Sequence, residues 1–144
     1  MKDTSSKHAK AFFSLVKTAG SIENKVKKAL KPFGITHTQL NILSVLQHSF
    51  PQPLSAKAIK ERLIVLSPDL TRLIDRLVKK ELVTRKTCET NRRSIDVMIS
   101  PKGAEVYKEA HVAVKHETRN FYKDAITEKE AESLTNILLK IQHE

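Results

Sequence analysis

Residues 67–103 read SPDLTRLIDRLVKKELVTRKTCETNRRSIDVMISPKG, and a change of period inside this stretch decides the architecture. Ser67-Pro68 places a favoured helix cap before a proline at the first helical turn. Leu70, Leu73, Ile74, Leu77 and Val78 then recur at helical spacing and define one apolar face as far as about Lys80. Beyond it the period falls to two. Val83–Cys88 and Ser94–Ile99 read as strands, and in the second Ile95, Val97 and Ile99 alternate with Ser94, Asp96 and Met98. Five polar residues, Glu89-Thr90-Asn91-Arg92-Arg93, join the strands as a hairpin tip.

Upstream, Ser55 caps a helix running to Leu63, with Leu54 and Ile59 spaced as a hydrophobic staple. The connector Ile64-Val65-Leu66 leaves three residues before the next cap, the length that a helix-turn-helix requires. Further back, Thr36-His37-Thr38-Gln39 is a capping box with Ile35 and Leu40 as its staple pair. It opens a short apolar helix that Pro51 and Pro53 end. A first helix spans about Lys7 to Lys31, and Pro32-Phe33-Gly34 closes it. Downstream, Ser100-Pro101 starts a long helix carrying Val106, Ala110, Ala113/Val114, Phe121 and Ala125 on one side. Thr127-Glu128-Lys129-Glu130 is a second capping box, opening a last helix. Two short helices, a tight connector, a helix with a basic outer face and a basic hairpin make a winged helix-turn-helix. The fold class expected is mainly α, with six helices and a β-hairpin wing.

That order of elements carries a functional expectation. One helix crosses the phosphates and props the next in the major groove, where its N-terminal residues meet base edges. On the helix from Ser67, the positions off the apolar face are Pro68, Asp69, Thr71, Arg72, Asp75, Arg76 and Lys79. Arg72 and Arg76 are suited to bidentate donation to guanine, and Asp69 to accepting from a cytosine amine. Ser67 and the free N–H groups of the helix end suit a phosphate. Lys57, Lys60 and Arg62 on the preceding helix are better placed for phosphates than for bases. Asp75 reads as a structural partner for an arginine, since phosphates repel it.

Charge agrees with this. The 144 residues carry a formal net charge of +10, which favours polyanionic partners. The balance is +6 over residues 1–55, +6 over 56–93, −1 over 94–100 and −1 over 101–144. The excess in the middle falls on the helix and hairpin that would face DNA. The Lys25–Lys31 cluster either flanks that face or is a solvated surface.

The run LSAKAIKERLIVLSPDLTRLIDRLVKKELVTRK…NRRSIDVMISPKG, within residues 54–103, resembles the MarR family of bacterial transcription regulators. The flanking helices correspond as well, so the resemblance extends over nearly the whole chain. It implies a single domain over 1–144, in which 1–34 and 101–144 supply dimerisation helices and 35–100 a winged helix-turn-helix core. It also implies a homodimer on a palindromic double-stranded DNA operator, usually as a repressor released by a small-molecule effector or oxidant. By the family's pattern Arg93 enters the minor groove at the wing, with Arg92 on phosphate or the groove edge. The sequence departs from that pattern at four positions. Ile64 and Glu81 stand where glycine is common, which points to local turns that differ slightly rather than to left-handed backbone at these positions. Cys88 and Asn91 replace acidic wing residues, removing carboxylates able to hold the wing arginines in ion pairs.

Other classes receive less support. The chain has no Gly-rich phosphate loop, G-x-S-x-G elbow, zinc-protease motif or Cys–His arrangement, so an enzyme is not expected. His111 and His116 are five apart on a helix, a poor spacing for one metal, and neither metal nor cofactor is expected. A single cysteine, Cys88, suits a reducing compartment and reads as an ordinary strand residue. No run approaches a membrane span and no secretory leader is evident, so the chain reads as cytoplasmic. Phe12, Phe13, Phe33, Phe121 and Tyr122 belong either to an effector pocket or to the dimer core. The competing binding class is a winged-helix module for protein docking or for RNA and non-specific nucleic-acid binding.

Overall fold

The computed structural model describes residues 6–64 and 67–142, so Val65 and Leu66 of the expected three-residue connector lie outside the described residues. Helix α1 (Lys7–Leu30) starts at Ser6, whose hydroxyl accepts from the Ala9 N–H at 3.2 Å. It ends in a 3-10 turn, Lys31–Phe33, closed by Gly34 at φ 65. Only Val26 and Leu30, at its C-terminal end, are buried. Helix α2 (His37–Ser49) carries both halves of the expected capping box: Gln39 N–H donates to Thr36 Oγ1 at 3.1 Å, and Thr36 N–H to Gln39 Oε1 at 3.0 Å. Its Leu40, Ile42, Leu43 and Leu46 form the centre of the core.

Residues Leu54–Ser55 form a short strand, β1, before helix α3 (Ala56–Arg62). Ser55 caps α3 as expected, accepting from the Ala58 N–H at 3.1 Å. Helix α4 spans Leu70–Lys79. It does not begin at a Ser67 cap. Asp69, at φ −101 and ψ 33, is non-helical, and the first i→i−4 bond of α4 runs from the Leu73 N–H to the Asp69 carbonyl at 3.0 Å. Pro68 therefore belongs to a turn before the helix. Burial of Leu70, Ile74 and Leu77 sets where α4 lies.

Strands β2 (Val83–Thr87) and β3 (Ile95–Ile99) pair antiparallel with Val83 opposite Ile99 and Thr87 opposite Ile95. Each is one residue shorter than the sequence pattern indicates, although Cys88 N–H still reaches the Ser94 carbonyl at 2.9 Å. β1 joins the other edge of β3, with Leu54 opposite Val97, so the sheet order is β1-β3-β2. Val83, Val97 and Ile99 are buried, whereas Ile95, nearer the hairpin tip, is exposed because the hairpin has outrun the core. Helix α5 (Pro101–Lys123) is capped by Ser100 and packs along α1. Helix α6 (Glu128–Gln142) opens at Thr127, where Thr127 and Glu130 exchange hydrogen bonds of 2.8 and 3.2 Å. None of its residues is buried.

One turn corrects the reading of the sequence. Glu81 has φ 61 and is the non-glycine residue with positive φ among the described residues. Leu82 N–H bonds to the Leu77 carbonyl at 3.0 Å and Glu81 N–H to the Val78 carbonyl at 2.9 Å, the two bonds of a Schellman cap. Leu77 and Leu82 are both buried, completing that cap's apolar contact. The turn is thus the left-handed one that glycine favours, with a glutamate in it. Such backbone costs an L-residue about 1–2 kcal/mol, while glycine gives back about 0.4–1 kcal/mol through a freer unfolded chain. Glu81→Gly is expected to raise stability by roughly 0.5–1 kcal/mol, read as a higher urea midpoint at unchanged slope.

Candidate nucleic-acid interface

The outer face of α4 follows from its inner one. Leu70, Ile74 and Leu77 turn inward, which leaves Thr71, Arg72, Arg76 and Lys79 exposed. Because α4 starts at Leu70, Thr71 and Arg72 occupy its first turn, closer to the helix end than a start at Pro68 would put them. Asp69 flanks the helix and is exposed, without a side-chain cap bond, and Ser67 is half-buried in the turn before it.

Asp75 has a partner that local spacing does not reveal. Helix spacing offers Arg72, three residues before it, as a partner, but it is Arg85 of β2 that donates to Asp75 Oδ1. Among the described residues neither Arg72 nor Arg76 forms an ion pair. The one carboxylate within α4 is therefore neutralised from the side, and two guanidiniums one turn apart stay available. The same contact ties α4 to the stem of the hairpin.

At the hairpin tip Arg92 and Arg93 are exposed, and among the described residues neither has an acidic partner. The tip is ordered by other means. Asn91 Oδ1 accepts from the Arg93 N–H at 3.1 Å, and the Asn91 carbonyl accepts from the Ser94 N–H at 2.9 Å. Cys88 Sγ lies 3.2 Å from Thr90 Oγ1. Asn91 thus shapes the tip by accepting from the backbone, with no added negative charge beside the wing arginines. On α3, Lys57, Lys60 and Arg62 are all exposed. Asn41 of α2 accepts from the Ile64 N–H at 3.1 Å and anchors the segment leaving α3, a role that its place in an apolar helix does not advertise. Ile64 is not left-handed.

Elsewhere the expected groupings are looser. A cleft of about 710 Å³ is lined by Glu23, Lys27, Lys28, Lys31, Ile35 and His37, and Glu23 Oε2 holds His37 Nδ1 at 2.8 Å. Another, of about 470 Å³, lies between α2 and α5 beside Gln47, Tyr107 and His111. None of the five aromatic residues suggested for an effector pocket lines either cleft. Phe12 and Phe13 are exposed on α1, Phe33 packs against the core, and Phe121 meets Tyr122 edge-on at 5.1 Å. His111 stacks on Tyr107 at 5.4 Å, and among the described residues no group of three His, Cys, Asp or Glu side chains is placed to hold a metal. No helix among them is long and apolar enough to cross a membrane.

A helix-turn-helix with a hairpin wing and long flanking helices defines this chain as a winged-helix protein. Residues 35–95 match the model of the MarR family. Over 138 residues the chain is 28% identical to the HTH-type transcriptional regulator MhqR of Bacillus subtilis, covering 94% of this chain and 91% of that one. Its fold is similar to AbsC, a MarR family transcriptional regulator from Streptomyces coelicolor, with a TM-score of 0.84, 20% identity and coverage of 95% and 93%. It is also similar to a mutant MarR from E. coli complexed with operator DNA, with a TM-score of 0.83, 23% identity and coverage of 97% and 99%. The chain thus resembles the MarR family of transcriptional regulators, by the family's model over residues 35–95 and by likeness to its members over nearly the whole length.

The partly exposed Asp75–Arg85 pair sets a first test. A double-mutant cycle with Asp75→Ala and Arg85→Ala should give a coupling of about 0.2–1 kcal/mol in urea denaturation, shrinking in high salt. A coupling of zero at low salt would mean that the contact adds no net stability to the fold.

Proposed function

We propose that this protein is a MarR-type transcription regulator, a cytoplasmic homodimer that binds a palindromic double-stranded DNA operator in a sequence-specific way, as a repressor released by a small-molecule effector. The observation that carries the reading is the outer face of α4, where Arg72 and Arg76 stand without acidic partners while Arg85 occupies Asp75. A single layer of side chains able to donate in pairs to guanine is what major-groove readout needs. In this account Thr71, Arg72 and Arg76 meet base edges, with Asp69 at the groove floor's edge. Ser67 and the N-terminal amides of α4 meet a phosphate, and Lys57, Lys60 and Arg62 meet the backbone beside it. Arg93 enters the minor groove, and Arg92 lies on its edge or a phosphate.

Dimerisation is supported by what the monomer leaves uncovered. Phe12 and Phe13 on α1 are 60% and 67% exposed, and Ile137 and Ile141 on α6 are 56% and 59% exposed. Among the described residues α6 makes no extensive contact with any other element. Residues 1–34 and 101–144 would bury these faces against a second copy, and 35–100 would bind DNA. A two-fold dimer then sets two α4 helices about 34 Å apart, one turn of duplex. An effector favouring another separation lowers operator affinity by its differential affinity for the two states.

The test is a selection of duplexes by purified protein, followed by titration of the enriched site. Arg72→Ala should cost about 1–3 kcal/mol and relax preference at one base pair. Uniform weakening across sequences would move Arg72 to the phosphates. Arg93→Ala should lower affinity and reduce the slope of log K against log salt by about 0.9 for each phosphate that is no longer neutralised. An unchanged slope and affinity would remove the wing from the interface. Enrichment of no duplex at low salt would favour a docking or RNA-binding module instead.

A further inference from the structure

The α4 turn and helix α5 meet at one backbone joint. Ser100 Oγ accepts from the Gly103 N–H at 2.9 Å, an ordinary N-cap, and also donates to the Glu81 carbonyl at 2.6 Å. Ser100 N–H donates to the Leu82 carbonyl at 3.0 Å. The two residues that close α4 thus lend both their carbonyl oxygens to Ser100. Glu81 does so from left-handed backbone, and its carboxylate lies 3.7 Å from Lys102 Nζ. Two turns of chain touch directly here. A Cβ added to Gly103 would lie 1.9 Å from the Leu82 carbonyl oxygen and 3.0 Å from Ile99 Cγ1. Because Leu82 leads into β2 and Ile99 ends β3, the joint holds α4 and both strands of the wing to the first turn of α5.

Capping α5 accounts for only part of this. A cap needs the bond from Gly103 and not the second one to Glu81, and glycine is a poor choice for a helix's first turn unless something lies too close for a side chain. We infer that Ser100 and Gly103 are positioning residues for DNA recognition, fixing α4 and the wing at one distance from α5 and thereby setting the half-site separation that the dimer accepts. This rests on the dimeric, operator-binding reading above. The scale is favourable. Relieving the Gly103→Ala clash from 1.9 Å to the 3.4 Å of ordinary van der Waals separation moves the joint by about 1.5 Å. A two-fold axis doubles that to about 3 Å, close to the ~3.4 Å rise of one base pair.

The experiment takes an operator selected with the wild-type protein and varies its half-site separation from two base pairs fewer to two more. Wild type should discriminate its optimum from neighbouring separations by about tenfold or more. Gly103→Ala, shown by circular dichroism and sedimentation to remain a folded dimer, should shift its optimum by about one base pair or flatten the profile. Ser100→Ala should flatten it, and Ser100→Thr, which keeps the hydroxyl, should restore it. Should Gly103→Ala not fold, the Ser100 pair decides: flattening rescued by threonine supports the inference. Folded variants that keep the wild-type profile overturn it while leaving the operator-binding reading intact. A wild-type protein that binds at no separation overturns both.

Discussion

A ten-residue helix can bury only one face, and here that constraint fixes everything the DNA would meet. Leu70, Ile74 and Leu77 of α4 are buried in the core built on α2. Each such side chain contributes about 1.5–3 kcal/mol on burial, against the 0–1 kcal/mol of a surface ion pair. Apolar packing therefore sets the rotation of α4, and the charges on its outer face take the positions left to them. With α4 turned this way Thr71, Arg72 and Arg76 are held outward on a rigid element, which is the condition for reading bases instead of merely attracting them.

The polar contacts then refine what packing has placed. Arg85 reaches across from β2 to Asp75, removing the carboxylate that would repel phosphate and linking the helix to the wing's stem. Asn91 folds the wing tip through the Arg93 backbone N–H, leaving the guanidinium groups unengaged by it. Ser100 gathers the carbonyls of Glu81 and Leu82 with its hydroxyl and its N–H, so the end of α4, the base of the wing and the start of α5 share one set of hydrogen bonds. Among the described residues Arg72, Arg76, Arg92 and Arg93 are thus left without acidic partners on the outer face of α4 and at the wing tip.

Features encoded within three or four residues were legible in the sequence. The caps at Thr36, Ser55, Ser100 and Thr127 were all readable because each is a local i to i+3 device. So was the outward set on α4, which follows from the spacing of its leucines and isoleucine. What escaped depends on distant partners. β1 is two residues long and exists because β3 lies beside it, some forty residues later. The start of α4 yielded to the backbone of Asp69, and the left-handed Glu81 is held by Val78 before it and Ser100 after it. Arg85 gave no sign of its role, since its partner sits ten residues away on another element.

The central claim is that two copies of this chain present two such faces to one duplex. Sedimentation velocity of the protein alone, and of protein with a labelled duplex carrying the selected site, tests it most directly. The account predicts a dimer without DNA and two chains per duplex with it, the complex dissolving as salt rises. A monomer at micromolar concentration, or a complex of one chain per duplex, would contradict it.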